Sequence, residues 1–280
     1  MITVRTGFLT KERKLQRKEI EADIIISNDT NRSFTHYEDK EEYGGEKLEE
    51  KKLELKAVIH SVIESTKGTS YYQGLNFIAE TFYVEYGMVK AFLIVRELAK
   101  YVFDSYLAGN KSFDSELNKK MGYTLAVLEQ EIADFEETIN FDVSSSEKSN
   151  PMSKLNFAVS WYLTYFAYKI HDPKKVLQIF DYLVSAQNPF AISYLVAAFV
   201  KEVYRLNNVS KNSEKHMLMN VLFNGKFNDL ELEKVFDDAF YLMSHEDYQI
   251  EVLNKQIEKK NKFSVLKDIK NGFLGIFKKK

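Results

Sequence analysis

The sequence predicts an all-α protein, and three observations lead to that prediction. Only 3 prolines and 11 glycines interrupt the 280 residues, which favours long helices over a β fold rich in turns. Hydrophobic residues make up 45% of the chain, enough for a sizeable core, and they recur mostly at helical spacings. No segment shows the strict alternation of apolar and polar residues that is typical of strands. A chain of this length forms one large domain or two lobes.

The composition excludes several classes of function. The formal net charge of −2 gives no global sign of nucleic-acid binding, and we expect no nucleic-acid partner. The chain has no cysteine, which rules out disulfides, thiolate metal sites and a cysteine nucleophile. No apolar run reaches the ~18 residues of a membrane span, and the first residues lack the apolar core of a secretory signal. These features predict a soluble, cytoplasmic protein.

The first sixty residues alternate between charged and apolar segments. Residues 9–26 begin with a basic cluster and predict a helix that ends in a short apolar patch. The polar residues 27–36 predict a loop, and the charge-rich residues 37–54 predict a solvated loop that leads into a helix. Helical periodicity follows in five apolar residues spaced i, i+3, i+4, i+7 and i+8, namely Leu55, Val58, Ile59, Val62 and Ile63.

Glycines mark the ends of the next helices. Gly68 is a natural C-cap for the helix that contains Leu55. A helix is predicted from Leu75 to Tyr86, Gly87 breaks the pattern, and another helix is predicted from Met88 to Tyr106. Residues 113–140 predict one or two helices with four apolar residues on one face, at Leu125, Leu128, Ile132 and Phe135.

The serine-rich residues 142–151 predict a loop between two lobes, which cover about 1–143 and about 151–255. After this loop, Leu155 to Ile170 is apolar almost all round and predicts a central core helix that contains Trp161. The fold class is therefore an all-α domain with two lobes and many helices.

Two later helices begin with the same signal, Asp172-Pro173 and Asn188-Pro189, in which a capping residue precedes proline at the first helical position. The first is predicted to bury Val176, Phe180, Leu183 and Val184. The second is predicted to bury Ile192, Leu195, Val196, Phe199 and Val200. Further helices are predicted over 213–223 and 228–259.

The candidate functional residues lie on two polar turns, because the sequence has no phosphate-binding glycine loop and no metal-ligand spacing. His171-Asp172 matches only a fragment of a metal site, and Asp172 is better explained as a helix cap. Gln73 follows two tyrosines and precedes Gly74, where the backbone can turn and another molecule can approach. Taken alone, Gln73 reads as an ordinary turn residue and Arg32 as a surface arginine.

Three stretches, read together, carry a family resemblance. Residues 26–33 read Ile-Ser-Asn-Asp-Thr-Asn-Arg-Ser, residues 71–74 read Tyr-Tyr-Gln-Gly, and Trp161 begins an apolar stretch that continues to Asp181. They resemble the motifs I-x-x-D-x-x-R-[TS] and Y-x-Q-G and the Trp-bearing core helix of the TBC domain, the family of GTPase-activating proteins for Rab small GTPases. The resemblance covers roughly 15–255, and we assign 1–255 to a TBC-like domain.

The resemblance departs from the family at the start of the domain. Only 25 residues precede Ile26, and no Arg-Gly-Ile-Pro-like motif is seen among them. We therefore expect a shortened first lobe. This departure favours an alternative reading, a helical scaffold that binds a GTPase or another partner with weak catalysis or none.

The resemblance implies that the chain regulates vesicle trafficking by activating a Rab-family GTPase. It implies that Arg32 is an arginine finger for the phosphoryl group and that Gln73 orients the attacking water, both in trans. No cofactor of its own is expected, since GTP and Mg²⁺ are bound by the partner. Asp29 either orients Arg32 and holds its loop or simply caps the following turn. The residues expected to support the Gln73 turn or contact the GTPase are Tyr71, Gly74 and Asn76.

The last residues, 256–280, form a basic amphipathic tail. Residues 259–280 hold eight lysines and one aspartate, with apolar residues between them. This pattern is typical of a helix that rests on an acidic membrane, and it is also explained by a docked final helix with a frayed end. The first reading predicts peripheral contact with endomembranes.

Overall fold

The computed structural model describes residues 20–37, 43–66, 70–102, 110–132, 135, 150–206, 215–225, 227 and 230–245. Within these ranges all regular secondary structure is helical and no strand is found, so the predicted all-α class is confirmed. The helices of the first half are α1 (20–31), α2 (Glu46–Ser65), α3 (Leu75–Tyr101) and α4 (Asn110–Glu131). Those of the second half are α5 (Pro151–Lys154), α6 (Val159–Thr164), α7 (Pro173–Ala186), α8 (Ala191–Leu206), α9 (Lys215–Asn224) and α10 (Leu232–Ser244).

Two predicted loops in the first half are partly helical. Residues 27–31 belong to α1, so only residues 32–37 form a turn. Helix α2 begins at Glu46, well inside the predicted loop 37–54, after Gly45 adopts a φ of 59°. Acidic residues at Glu46 and Glu49 lie in its first turn, where they complement the positive end of the helix dipole. Charged residues that looked like a solvated loop therefore form the exposed start of a helix.

The predicted apolar faces of the next helices are largely confirmed. Helix α2 buries Leu55, Val58, Ile59 and Val62. Helix α3 is interrupted at Gly87, where φ is 75° and ψ is 171°, as its glycine predicted. It ends at Tyr101, and residues 103–109 lie outside the described residues, as does the predicted cap at Gly68. Of the four residues predicted to share one face over 113–140, Leu125 and Leu128 on α4 are buried, and so is Phe135, which lies beyond the end of α4.

The predicted core helix from Leu155 to Ile170 is wrong as a single element. A 3₁₀ helix over Asn156–Ala158 precedes α6, which ends at Thr164 because Tyr165 and Phe166 adopt positive φ angles of 49° and 67°. Left-handed backbone at two aromatic residues is rare and is not signalled by a glycine. The buried position is confirmed, since Trp161 and Phe166 have 0% exposure and their ring centroids lie 5.5 Å apart.

Both predicted helix caps are present. The Oδ1 atom of Asp172 accepts a hydrogen bond from the backbone N–H of Lys174 at 3.0 Å. Asn188 Oδ1 accepts one from the backbone N–H of Phe190 at 2.8 Å. Helix α7 buries Ile179 in addition to Val176 and Phe180, while Val184, predicted to be buried, is 58% exposed. All five residues predicted to be buried in α8 are buried.

The described chain divides into two compact units that do not follow chain order. The first contains residues up to Leu117, Phe157–Ala186 and Phe223–Leu230, and the second contains Asn118–Asn156, Gln187–Leu222 and the residues from Glu231 onward. The consecutive lobes predicted from sequence, about 1–143 and 151–255, differ from this division because the Trp161 and α7 segments pack with the first unit. The tail 256–280 lies outside the described residues.

Helix packing in the second unit joins α4 to α8 through small polar residues. Thr124 on α4 donates a hydrogen bond from Oγ1 to the backbone oxygen of Ser193 at 2.8 Å. Ser193 on α8 donates from Oγ to the backbone oxygen of Lys120 at 2.9 Å. Ser193 and Thr124 are completely buried, so short side chains let the two backbones approach closely. No helix within the described part of the chain is long and apolar enough to cross a membrane.

Candidate functional site

The Arg32 turn, residues 32–37, follows directly from the end of α1 and is fixed by local hydrogen bonds. The backbone N–H groups of Arg32 and Ser33 donate to the carbonyls of Asp29 and Thr30, both at 3.1 Å. Thr30 donates from its hydroxyl to the carbonyl of Ile26 at 2.9 Å. The two backbone bonds satisfy carbonyls that the end of a helix otherwise leaves open, and the Thr30 bond ties its side chain to the preceding turn of α1. The backbone is thereby held while the Arg32 side chain remains 66% exposed.

The guanidinium of Arg32 is oriented by its own helix. Its Nη2 atom donates to Oδ1 of Asp29 at 2.6 Å, and its Nε atom donates to the carbonyl of Asn28 at 3.2 Å. The Asp29 side chain is only 3% exposed, so the anchor is buried although the cation is not. The other guanidinium N–H groups make no hydrogen bond to the described residues, which leaves one edge of the group facing outward.

The other carboxylate oxygen of Asp29 reaches the second motif. Tyr71 donates a hydrogen bond from its hydroxyl to Oδ2 of Asp29 at 2.6 Å. Burial and the bond to this carboxylate raise the pKa of the Tyr71 hydroxyl far above its ordinary value, so it remains a proton donor. This bond therefore connects two residues that are 42 positions apart in the chain.

The Gln73 turn, residues 71–74, presents its glutamine between two buried neighbours, Tyr72 and Gly74. Gly74 has a φ of 112°, which side-chain-bearing residues rarely adopt. A Cβ atom there would lie 3.0 Å from Cγ2 of Thr164, so space as well as backbone conformation selects glycine. The N–H of Phe77 donates to the carbonyl of Gly74 at 3.1 Å and begins α3. Gln73 itself is exposed.

Asn76, in the first turn of α3, ties that helix to the Arg32 turn. Its side chain is buried, and Nδ2 donates to the hydroxyl of Ser33 at 3.2 Å. A longer contact of 3.5 Å joins the same atom to the carbonyl of Asp29. Asn76 thus ties α3 to a residue before Arg32 in the chain and to the residue after it.

Glu80 is a residue of this site that the sequence reasoning missed. It lies one helical turn beyond Asn76 on α3, is buried, and accepts a hydrogen bond on Oε1 from the backbone N–H of Phe34 at 2.9 Å. Burial raises the pKa of its carboxyl to about 7. The available signal was an acidic residue at the i+4 position from Asn76 within an otherwise apolar stretch.

All six residues predicted for the site therefore lie in the first compact unit, and four of them take part in one network. Asp29 is its centre, with Arg32, Tyr71 and Asn76 bound to it. Both oxygens of the Asp29 carboxylate accept bonds from side chains, and no described backbone N–H group donates to them. Among the described residues no cluster of three or more potential metal ligands is found.

Fold and site together define an all-α protein that exposes an arginine and a glutamine on two turns joined by a buried carboxylate. The chain matches the family model of the Rab-GTPase-TBC domain over residues 5–205, which include both motifs and the Trp161 segment. The protein therefore belongs to the Rab-GTPase-TBC domain family, and a Rab-type GTPase is the kind of partner that this domain indicates. The match ends one residue before the end of α8. Among curated proteins, none matches the chain.

Proposed function

We propose that this protein accelerates GTP hydrolysis by a Rab-family small GTPase, with Arg32 and Gln73 supplied in trans. The observation that carries the proposal is the carboxylate of Asp29, which binds Arg32 on one oxygen and Tyr71 on the other. One buried group thereby joins the two motifs, while the side chains of Arg32 and Gln73 are exposed. Exposed polar groups on fixed turns suit a protein that completes the active site of another protein.

Arg32 is the proposed arginine finger. GTP hydrolysis spreads negative charge over the transferring phosphoryl group, and a small GTPase on its own stabilises that charge poorly. Guanidinium is planar, always charged and able to fork onto two oxygens. Because Asn28 and Asp29 engage one side of the group, the other side remains for the partner. Such a finger supplies about 10³–10⁵ in rate, which corresponds to roughly 4–7 kcal/mol of barrier.

Gln73 is the proposed positioning group for the attacking water. Many GTPases use their own glutamine for this task, and the side-chain amide can accept from the water and donate to a phosphate oxygen at once. The constrained backbone at Gly74 limits the directions in which Gln73 can point. GTP and Mg²⁺ belong to the partner in this mechanism, so the activator is not an enzyme by itself and needs no cofactor of its own.

Single-turnover GTP hydrolysis by a panel of Rab proteins tests this proposal. We expect the wild-type protein to stimulate at least one member, and Arg32→Ala and Gln73→Ala each to remove most of the stimulation. Arg205→Ala is the matched control for the first variant, because Arg205 is also exposed and pairs with a mostly buried acid, Glu202, three residues away. Gln178→Ala, at an exposed position on α7, is the control for the second.

The same assay separates the activator from the helical scaffold that the sequence left as an alternative. If the wild type binds a GTP-loaded Rab but stimulates none of the panel, the scaffold replaces the activator. Equal activity of Arg32→Ala and Arg205→Ala would remove the finger role while leaving the binding role in place.

A role in vesicle trafficking and a peripheral contact of the tail with endomembranes complete the proposal. Rab proteins act on membranes, and the lysines of residues 259–280 suit an acidic lipid surface. Flotation with liposomes that contain anionic lipid, using the full chain and a chain without residues 262–280, tests the contact. Equal binding by the two chains would remove the membrane role of the tail.

A further inference from the structure

Glu80 carries a buried carboxyl group that the proposed mechanism does not use. The residue is 6% exposed, in a part of α3 where its neighbours Ile78, Ala79 and Phe82 are also buried. Its Oε1 atom accepts the N–H of Phe34, whereas Oε2 is buried and has no hydrogen-bond partner. No described residue forms an ion pair with it. An acid in such surroundings is costly, so its presence calls for a reason other than packing.

Phe34, the partner of Glu80, is held in an unusual backbone conformation two residues after Arg32. Its φ is 65°, in the left-handed region that residues other than glycine rarely adopt. The ring is completely buried and packs against Tyr43 at 5.4 Å and Tyr83 at 5.5 Å between ring centroids. The carboxylate therefore receives an N–H group whose direction is fixed by the shape of the Arg32 turn.

We propose that Glu80 is a positioning residue for Arg32, which fixes the Arg32 turn against α3 by accepting the N–H of Phe34. This inference rests on the role proposed above for Arg32. Asn76 and Glu80, four residues apart on α3, bind Ser33 and Phe34, the two residues that directly follow Arg32. The guanidinium is thus oriented from one side by Asp29 and its turn is held from the other side by Glu80.

A carboxylate does this better than a neutral group, because hydrogen bonds to an ionised acceptor are roughly twice as strong. The pKa of the Glu80 carboxyl lies at about 7, raised by burial and held down by the Phe34 amide that donates to it. The other titratable group that senses its charge is Tyr37 on the same turn, whose pKa is raised by burial and by Glu80. Two imidazoles also belong to this region, His36 on the Arg32 turn and His171, whose ring stacks on that of His36 at 3.4 Å between centroids. Imidazole ordinarily changes charge in the same pH range, so the effect of Glu80 is identified by comparing the wild type with a variant that lacks only this carboxyl.

The acids and bases of the neighbouring elements are engaged elsewhere. On α2, Glu54 accepts a hydrogen bond from the hydroxyl of Tyr83, and the Nζ atom of Lys51 lies 4.9 Å from the centroid of the Tyr43 ring. Asp172, before α7, caps that helix and acts on Tyr37. The part of a rise in stimulation near pH 7 that the wild type shows and Glu80→Gln lacks is therefore the part that we assign to Glu80.

The consequence is a pH profile in which activity and stability move in opposite directions. Above neutral pH the ionised carboxyl holds the turn more tightly, so stimulation increases, although the buried charge lowers the stability of the fold. If Glu80 had a purely structural role, its ionisation would lower the stability of the fold and the stimulation of hydrolysis together.

The test compares wild type, Glu80→Gln and Glu85→Gln in single-turnover hydrolysis between about pH 6 and pH 8, around the pKa of about 7. Stimulation is expressed relative to the GTPase alone at each pH, which removes the partner's own pH dependence. Glutamine keeps the shape and an acceptor oxygen but cannot ionise. Glu85 lies on the same helix but does not bind Phe34, so its variant controls for loss of a nearby acid.

We expect the stimulation by wild type and by Glu85→Gln to rise about fivefold over this range, the change expected from strengthening one hydrogen bond. Glu80→Gln should lack this fivefold rise and stay near the lower value. A Glu80→Gln profile that rises like the wild type would overturn the inference and leave the proposed function standing. A wild type that stimulates no GTPase at any pH would overturn both.

A second measurement decides the matter if Glu80→Gln fails to fold. In wild-type protein labelled with ¹⁵N-phenylalanine, the amide signal of Phe34 should shift with pH with a midpoint near neutral, because its acceptor changes charge. An amide signal that does not respond to pH over this range would overturn the inference without the need for a variant.

Discussion

The hydroxyl of Tyr71 donates a hydrogen bond to Oδ2 of Asp29 at 2.6 Å, and this bond joins two motifs that lie far apart in the chain. Asp29 is almost completely buried, so the bond is shielded from water. Its loss would leave a buried carboxylate oxygen without a donor, which costs more than the bond itself contributes.

Tyr71→Phe should therefore destabilise the first unit and reduce activity together. We expect a loss of about 1–3 kcal/mol in the free energy of unfolding, the usual cost of an unsatisfied buried polar atom. Urea denaturation followed by the fluorescence of Trp161, the only tryptophan, measures it. Tyr168→Phe is the control, because Tyr168 is 47% exposed and its hydroxyl has no hydrogen bond to the described residues. Equal stability of the two variants would contradict the expectation.

Gly74→Ala should be destabilising through two separable effects. The φ of 112° strains any side-chain-bearing residue, and the new Cβ would lie 3.0 Å from Cγ2 of Thr164. Thr164→Ser removes that methyl group while keeping the hydroxyl that bonds to the carbonyl of Ser160. In a double-mutant cycle, Thr164→Ser should recover about 0.5–1 kcal/mol of the loss, within the range of coupling seen between contacting residues.

Gly87→Ala gives the matching control cycle. Gly87 also has a positive φ, but no atom lies within 4 Å of the position of its Cβ. Its effect on the free energy of unfolding should simply add to that of Thr164→Ser. Coupling of similar size in both cycles would show that Thr164→Ser acts on the whole fold rather than on the contact with Gly74.

The stability of the protein should depend on pH through Glu80. The pKa of its carboxyl is about 7 in the folded protein and 4.5 ordinarily, so the folded state holds the proton more tightly than the unfolded chain. The stability due to the neutral carboxyl is therefore complete below about pH 4.5 and is lost as the pH rises to about 7. The difference between these two pKa values corresponds to about 3 kcal/mol in the free energy of unfolding.

Glu80→Gln removes this dependence, since an amide does not titrate. Compared with the wild type, the variant should gain up to about 3 kcal/mol in relative free energy of unfolding between about pH 5 and pH 8. Urea denaturation at both pH values, with Glu85→Gln as control, measures the difference. A constant difference between wild type and Glu80→Gln at the two pH values would show that the carboxyl does not titrate in this range.

Features that depend on a few neighbouring residues could be predicted from the sequence. The caps at Asp172 and Asn188 require only a polar side chain before a proline, and both are present. Charge alone does not separate a solvated loop from the exposed start of a helix, so the beginning of α2 at Glu46 was missed. The end of α6 was missed because the left-handed residues Tyr165 and Phe166 carry no glycine to signal them.

The candidate site could be predicted as residues but not as a network. The motifs supplied Arg32 and Gln73, yet the bond from Tyr71 to Asp29 depends on how α1 packs near the start of α3. Glu80 belongs to neither motif. Its role depends on the inward direction of one N–H group, at Phe34, which local sequence does not encode.

Asp29→Asn tests whether the charge of the carboxylate, and not only its shape, orients Arg32. Asparagine keeps an oxygen for Arg32 and can donate from its amide to the Tyr71 oxygen, so the fold should persist. The bond to Arg32 then loses its charge assistance, and we expect stimulation of GTP hydrolysis to fall about tenfold while the affinity for the GTPase is unchanged. Single-turnover rates at saturating protein measure the first, and titration of a fluorescent GTPase measures the second. Glu202→Gln, which weakens the similar pair with Arg205, should change neither. If Asp29→Asn lowered stability alone and left stimulation intact, the carboxylate would be a structural tie between the motifs and Arg32 would find its orientation from the partner.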